Sequence, residues 1–327
     1  MEIWFKRVAA GALMAGLALM SGAGQAQQYP SKPVKMIVGF AAGGPTDVVA
    51  RLLAQHMTAS MGQSVLVENK TGANALIATE EVSHAAPDGY TLIFSSLSYN
   101  VNAILMPERV KYDPIKSFAP VTLVATLPQL VVTGYGSPFN SVKDIVAQAK
   151  AKPGTLSFGS AGNGGSAHLA GELFKNKAGM DLIHVPFRGN APALAEVMAG
   201  RISFMFYPSI GVAEYMAAKR LRVLAVGWTQ RNPDFPGVPT MEELGFPGFE
   251  ATAPWLGLLA PAGTPDAVVQ RLAAEVNKVL ALPEAKERMR TLGGIVIGGS
   301  AAEFSAFLKQ DYEHWSRVIK LAGVKGE

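Results

Sequence analysis

The sequence predicts an α/β protein of two lobes, and three observations carry that expectation. Short β-branched or apolar runs alternate with longer amphipathic segments, which is the pattern of parallel βα units. The alternation occurs twice, once on each side of the apolar stretch "FAPVTLVATLPQLVVTGYG" at 118–136. A second such stretch, "FEATAPWLGLLAPAG" at 249–263, leads the chain back. Both are too long and too apolar for loops, so they read as extended crossings between lobes.

The elements follow in order. "MEIWFKRVAAGALMAGLALMSGAGQAQ" has Lys6 and Arg7, an apolar run from Val8 to Met20 and small residues up to Ala26. That order is a secretory signal peptide, expected to be cleaved near Ala26. Its apolar run of roughly 13 residues falls short of the ~20 that a spanning helix needs. "VKMIVGF" reads as a strand, and "DVVARLLAQHM" as a helix with Val49, Leu52, Leu53 and Met57 on one face. "SVLVEN" is a strand, "LIATEEVSHA" a helix and "YTLIFSS" a third strand, reached through the turn "APDG". Beyond the first crossing, "TLSFGS", "LIHVPF", "ISFMFY" and "LRVLAVG" are strands separated by "AHLAGELFKNKAG", "APALAEVMAG" and "GVAEYMAAKR" as helices. The C-terminal part is helical and ends in the amphipathic "AAEFSAFLKQDYEHWSRVIKLAG". The expected division is a leader at 1–26, a first lobe at 27–125 and 253–327, and a second lobe at 126–252.

Composition narrows the function. With no cysteine there is no disulfide framework and no thiolate metal site. Removing Lys6, Arg7 and Glu2 from 29 basic and 25 acidic residues leaves 27 and 24, a net +3. The excess is scattered, which argues against nucleic acid as partner and suits a small anion. The five histidines, His56, His84, His168, His184 and His314, make no metal spacing. Ser166 and His168 lie two apart, so their side chains diverge, and no G-x-S-x-G elbow or G-x-G-x-x-G fingerprint occurs. The expectation is recognition without turnover, with no catalytic residue, no metal and no cofactor.

Two strand–loop–helix stretches remain as candidates. "VGFAAGGPTDVVARL" spaces Gly39, Gly44, Pro45 and Thr46 like a phosphate loop, but Pro45 stands where that loop needs lysine. "SFGSAGNGGSAHLAGELF" repeats the theme in the second lobe, at 157–174. Glycines and hydroxyls at a helix start leave backbone N–H groups open to an anion, and such loops fall at the carboxyl ends of strands, where α/β sheets bind ligands. A tight βα connection with Pro at the first helical turn explains the first loop equally well. Phe40, Ser95, Ser96, Phe187, Arg188, Tyr207 and Trp255 lie near strand ends and could shape the pocket.

These residues resemble a known family. "YPSKPVKMIVGFAAGGPTDVVARLLA", "GSAGNGGSAHLAGELF", "HVPFRGNAPALAEVMAG" and "WLGLLAPAGTPDAVVQRLAAEVNKVL" are similar, in order and over essentially the whole mature chain, to the Bug receptors of tripartite tricarboxylate transporters. The resemblance implies a type II periplasmic-binding-protein clamshell that holds a carboxylate-bearing ligand by loop amides and hydroxyls, partly through water. Carried over by position, Phe40, Gly44, Thr46 and Asp47 match the first loop. Ser160, Ala161, Gly162, Asn163 and Ser166 match the second, with His168 opening its helix. One departure stands out: "GRISFMF" has Ser203 where relatives commonly carry an aspartate that helps fix the ligand's far end or amino group. Its loss points away from an amino acid and towards a plain or aromatic carboxylate.

The expectation is therefore a periplasmic, monomeric receptor that takes up a small organic acid (a di- or tricarboxylate or an aromatic acid) and delivers it to membrane transporter subunits. A sensing subunit that docks on a sensor kinase ectodomain is the alternative. A hydrolase using Ser166 lacks a base and an acid.

Overall fold

The computed structural model describes residues 29–322, positions 210 and 292 excepted. The expected leader and its cleavage point lie outside the described residues. From Lys32 on, the chain packs as one body around two sheets.

The chain runs β1 (Val34–Val38), α1 (Pro45–Met61), β2 (Val65–Asn69), a left-handed turn (Ala73–Ala75), α2 (Leu76–Ser83), β3 (Thr91–Ser96), α3 (Ser98–Leu105) and β4 (Phe118–Thr126). It continues through β5 (Gln129–Gly134), α4 (Val142–Ala151), β6 (Ser157–Ser160), α5 (Ser166–Ala178), β7 (Ile183–Pro186), α6 (Asn190–Met198), β8 (Phe204–Pro208), α7 (Val212–Ala217) and β9 (Leu221–Gly227). It closes with β10 (Trp255–Pro261), α8 (Asp266–Ala281), α9 (Pro283–Thr291), β11 (Ile295–Val296) and α10 (Ala301–Ala322).

The first sheet has the order β11-β4-β10-β3-β1-β2, and the second β7-β6-β8-β5-β9. In each, the βα units pair in parallel, β1 with β2 and β3, and β6 with β7 and β8. Antiparallel strands enter where the chain crosses: β10 against β3 and β4, and β5 against β8 and β9. The first apolar stretch is thus two strands in two sheets, separated only by Leu127 and Pro128. The return crossing is a short 3-10 turn at Phe249–Thr252 that leads into β10.

Periodicity explains the packing. Val49, Leu53, Met57 and Met61 repeat every four residues on α1 and are buried. Phe304, Leu308, Trp315 and Ile319, spaced by four, seven and four residues, share one face of α10 and join Tyr99 and Trp255 in the first-lobe core. In the second lobe one face of the sheet buries Phe158, Phe174, Phe204 and Phe206, and the other buries Leu130, Val132, Met205 and Tyr207. β3 is followed at once by α3, which begins at Ser98 and whose Asn100 donates to the Leu308 carbonyl and to Asp311 of α10.

Candidate functional site

The two strand–loop–helix stretches face each other across a cleft between the sheets. An outer cavity of about 270 Å³ is lined from the first lobe by Gly39, Phe40, the Gly72–Ala75 loop, Met106 and Arg109. Ala161, Gly162, Asn163, Pro186, Phe187 and Arg188 line it from the second. It opens inward to a chamber of about 20 Å³ that shares Phe40, Asn74 and Ala161 with it. That volume is room for a single water-sized group.

Three helices aim their N-termini at this chamber. Pro45 and Thr46 of α1, Ser166 of α5 and Asn190 of α6 line it, and their N-cap residues are Gly44, Gly165 and Gly189, none of which makes a side-chain cap. The first N–H groups of a helix have no intrahelical partner, so a glycine N-cap leaves them to a ligand or water. α4, remote from the cleft, has the opposite arrangement: Ser141 and Asp144 form a reciprocal capping box. Ser96 and Ser98 complete the polar lining, while Leu127, Pro208, Pro254 and Leu256 form its apolar end. Ser98 Oγ, Asn190 Oδ1 and Asn74 Oδ1 are buried without a hydrogen-bond partner. Unsatisfied polar atoms of this kind are costly unless something occupies the space beside them.

Of the sequence-expected residues, Phe40, Pro45, Thr46, Ser96, Ala161, Gly162, Asn163, Ser166, Phe187 and Arg188 line the two chambers. The others support them or lie elsewhere. Gly44 contributes as the N-cap of α1. Asp47 turns inward: its carboxylate accepts from the Gly43 N–H at 2.9 Å, from Asn69 Nδ2 at 2.9 Å and from Arg51 Nε. Burial alone would raise that carboxyl, but the hydrogen bonds from Arg51, Gly43 and Asn69 hold it below the usual carboxylate range. Ser160 Oγ donates to the Gly162 carbonyl, accepts from the Gly162 N–H and sits 2.6 Å from His184 Nε2. His168 Nδ1 accepts from the Gly164 N–H at 2.9 Å, and its ring stacks on His184 at 3.9 Å. Burial pushes the His184 ring down to about 3, with His168 and Lys175 adding to the effect.

Three placements correct the sequence reading. Ser95 alternates with Ser96 and so faces the other side of the sheet. Tyr207 packs into the second-lobe core with Leu130 and Met205 and does not line the cleft. Ser203 precedes β8 at the end opposite the cleft, where its hydroxyl accepts from the Ser157 N–H. At ~3.3 Å per residue, the length of β8 puts it roughly 17 Å from the strand end that reaches the chamber. A serine there touches no cleft-bound ligand, and it carries no information on whether that ligand has an amino group.

The loop missed by sequence reading is Gly72–Ala75. Ala73, Asn74 and Ala75 all have positive φ (45°, 52° and 69°), a run of left-handed residues with no glycine. Such backbone persists only where its surroundings enforce it. Asn102 does so from α3, accepting from Asn74 Nδ2 and donating to the Asn74 carbonyl. Across the cleft, a Cβ on Gly162 would sit 3.4 Å from Asn74 Cβ, and one on Gly189 3.1 Å from Ala41. The lobes therefore meet here in a closed arrangement. Among the described residues no group of three or more His, Asp or Glu could hold a metal.

A family model described as "Tripartite tricarboxylate transporter family receptor" matches residues 49–324. A protein of Pseudomonas sp. (strain P51), described as a UPF0065 protein in the tcbD-tcbE intergenic region, is 38% identical over 315 residues, 96% of this chain and 93% of its own. BugT of Bordetella pertussis is 34% identical over 302 residues, 92% of each chain. The periplasmic binding protein BugD superposes with a TM-score of 0.87 at 35% identity, covering 91% of this chain and all of its own. Rpa4515 of R. palustris, solved with adipate, gives 0.87 at 32% identity over 91% and 99% of the two chains. MatC of Rhodopseudomonas palustris, solved with bound malate, gives 0.84 at 31% over 89% and 100%.

Proposed function

The chain belongs to the tripartite tricarboxylate transporter receptor family and has its two-lobed binding-protein fold, and from that premise we propose that it captures a small organic carboxylate and presents it to the membrane subunits of such a transporter. Membership makes it a solute-binding protein rather than an enzyme, of a family that works in the periplasm. The observation that carries the proposal is the convergence of three glycine-capped helix N-termini on one small chamber.

A carboxylate oxygen, alone or through one water, would accept from those N–H groups and from the hydroxyls of Thr46, Ser98 and Ser166. Each charge-assisted bond contributes roughly 1.5–3 kcal/mol in such a site. The outer cavity, at about 270 Å³, suits a small acid and is modest beside the ~300–1,000 Å³ of ordinary ligand pockets. That relatives were solved with adipate and malate supports the chemistry. The crossings at 126–129 and 252–255 would serve as the hinge between a lobe of 27–125 plus 253–327 and one of 126–252. Ligand contacts available only when both lobes meet would then draw the open form closed.

A thermal-shift screen of mono-, di- and tricarboxylates and aromatic acids tests this. A ligand at a hundredfold excess over its Kd stabilises by about 2.7 kcal/mol, which raises Tm by several degrees. A screen in which no acid shifts Tm would overturn the proposal.

A further inference from the structure

We infer that a second cavity, on the far side of the two crossings from the cleft, is a binding site for a small organic ammonium with an aromatic or alkyl body. It encloses about 390 Å³, within the ~300–1,000 Å³ of ordinary ligand pockets. Leu127, Pro254 and Leu256 line the inner chamber of the cleft, while their chain neighbours Thr126, Ala253 and Trp255 line this cavity. Neighbours along an extended chain face opposite sides. The Leu127 N–H donates to the Pro254 carbonyl, so the two crossings, tied together, form one wall with a space on each face.

The lining names the ligand class. Trp228 beyond β9, Trp255 on β10 and Phe307 on α10 supply aromatic rings, the last two packed edge to face at 5.9 Å. Glu250 on the 3-10 turn and Asp311 on α10 supply carboxyl groups. Among the described residues neither carboxyl makes a salt bridge, and no lysine or arginine lines the cavity. An anion entering here would be desolvated beside two acids with no counter-charge. An organic ammonium would meet carboxylates with its N–H groups and aromatic rings with its body.

Asp311 has the most to gain. Its Oδ2 accepts from Asn100 Nδ2 at 2.7 Å, and burial still pushes the carboxyl up to about 6. That rise is the mark of a buried charge short of a counter-ion, which a bound ammonium supplies. One turn on, His314 lines the same cavity, its Nε2 buried without a hydrogen-bond partner and able to accept a further N–H. Burial, with Arg317 adding and Glu250 opposing, holds this ring below its usual range, so at neutral pH it brings no competing positive charge.

Phenethylammonium, phenethyl alcohol and hydrocinnamate share a phenyl body and differ in charge, which makes them matched probes. Among the described residues Trp228 and Trp255 line this cavity, and no tryptophan lines either chamber of the cleft. Their indole N–H signals in an NMR titration, assigned with Trp228→Phe, therefore report on this site alone. Both should move saturably with phenethylammonium, which should bind about tenfold or more tightly than the alcohol, the worth of one charge-assisted contact. Hydrocinnamate should leave both signals in place. Glu250→Gln should weaken the ammonium about threefold or more and leave the alcohol within about twofold. Asp311→Asn should act likewise where it keeps the wild-type Tm, and Glu250, which is exposed, carries the test where it does not. Indole signals that stay still, equal affinity for ammonium and alcohol, or wild-type ammonium affinity in Glu250→Gln would each overturn the inference and leave the carboxylate-receptor reading untouched.

Discussion

The two jaws of the cleft present similar chemistry to a ligand but are held in shape by different means. In the first, at 39–47, one buried carboxylate organises the turn: Asp47 gathers the Gly43 N–H, Asn69 and Arg51. In the second, at 160–168, backbone freedom and two stacked rings do that work. Gly162 and Gly164 adopt φ of 139° and 73°, Ser160 Oγ bridges to Gly162, and His168 accepts from Gly164 while stacked on His184. A buried carboxylate holds one jaw, and glycine turns with stacked rings hold the other, so the jaws should fail under different perturbations.

The largest separation is expected from Asp47→Ala. It strands three donors around a side chain that is 3% exposed. Breaking a buried pair costs about 3–5 kcal/mol, and because Arg51 is half exposed the expected loss is about 2–4 kcal/mol. Urea denaturation measures it. A loss below about 1 kcal/mol would show that the first jaw does not depend on its carboxylate.

Acid should separate the jaws next. The ring of His184 titrates near 3 in the fold and at 6.5 when unfolded, so the unfolded chain takes up that proton first. Stability from this group is therefore complete above pH 6.5 and declines as pH falls towards 3, by at most about 1.4 kcal/mol per pH unit. Asp47 is also depressed, from 3.8, so its contribution is lost only as pH falls below that value. Unfolding free energies followed from pH 7 to pH 4 should fall in wild type and fall less steeply in His184→Gln. Parallel slopes for the two proteins would remove His184 from the account.

Glycine substitutions sharpen the contrast at smaller scale. Gly162→Ala forces a side chain into φ of 139°, a region costing about 1–3 kcal/mol for non-glycine residues. Gly44→Ala in the first jaw keeps φ at −79°, with its Cβ 3.3 Å from the Ala41 carbonyl, and should lose about 1 kcal/mol or less. Equal losses at the two positions would contradict the division of labour.

The uneven legibility of the site has the same origin. Both loops could be read because glycine and proline announce backbone geometry locally, and alternating hydrophobicity announced the βα units around them. The 72–75 loop could not, since alanine has no preference for the left-handed conformation that Ala73 and Ala75 adopt. Asn102, which fixes that loop, stands 28 residues along the chain on α3. Asn190 and Arg109 reach the cleft only through tertiary placement. Ser203 erred in the other direction, as a motif position far from the chemistry it was expected to touch. Side chains that act through distance in the fold leave no local trace, whereas turns do.

The smallest effects test the jaws as a pair. Thr46→Val removes a hydroxyl from the first jaw and Ser166→Ala one from the second, and both side chains line the inner chamber. Neither makes a side-chain hydrogen bond that the fold itself uses among those described, so stability should stay within about 0.5 kcal/mol of wild type. Affinity for whichever acid raises Tm should fall about 2- to 12-fold in each, the worth of one hydrogen bond of 0.5–1.5 kcal/mol. If both hydroxyls contact one carboxylate group, they are close enough to couple, and the double variant should depart from additivity by about 0.5 kcal/mol or more. Strict additivity would place them on separate ligand groups. Wild-type affinity in both single variants would leave the backbone N–H groups as the whole of the grip.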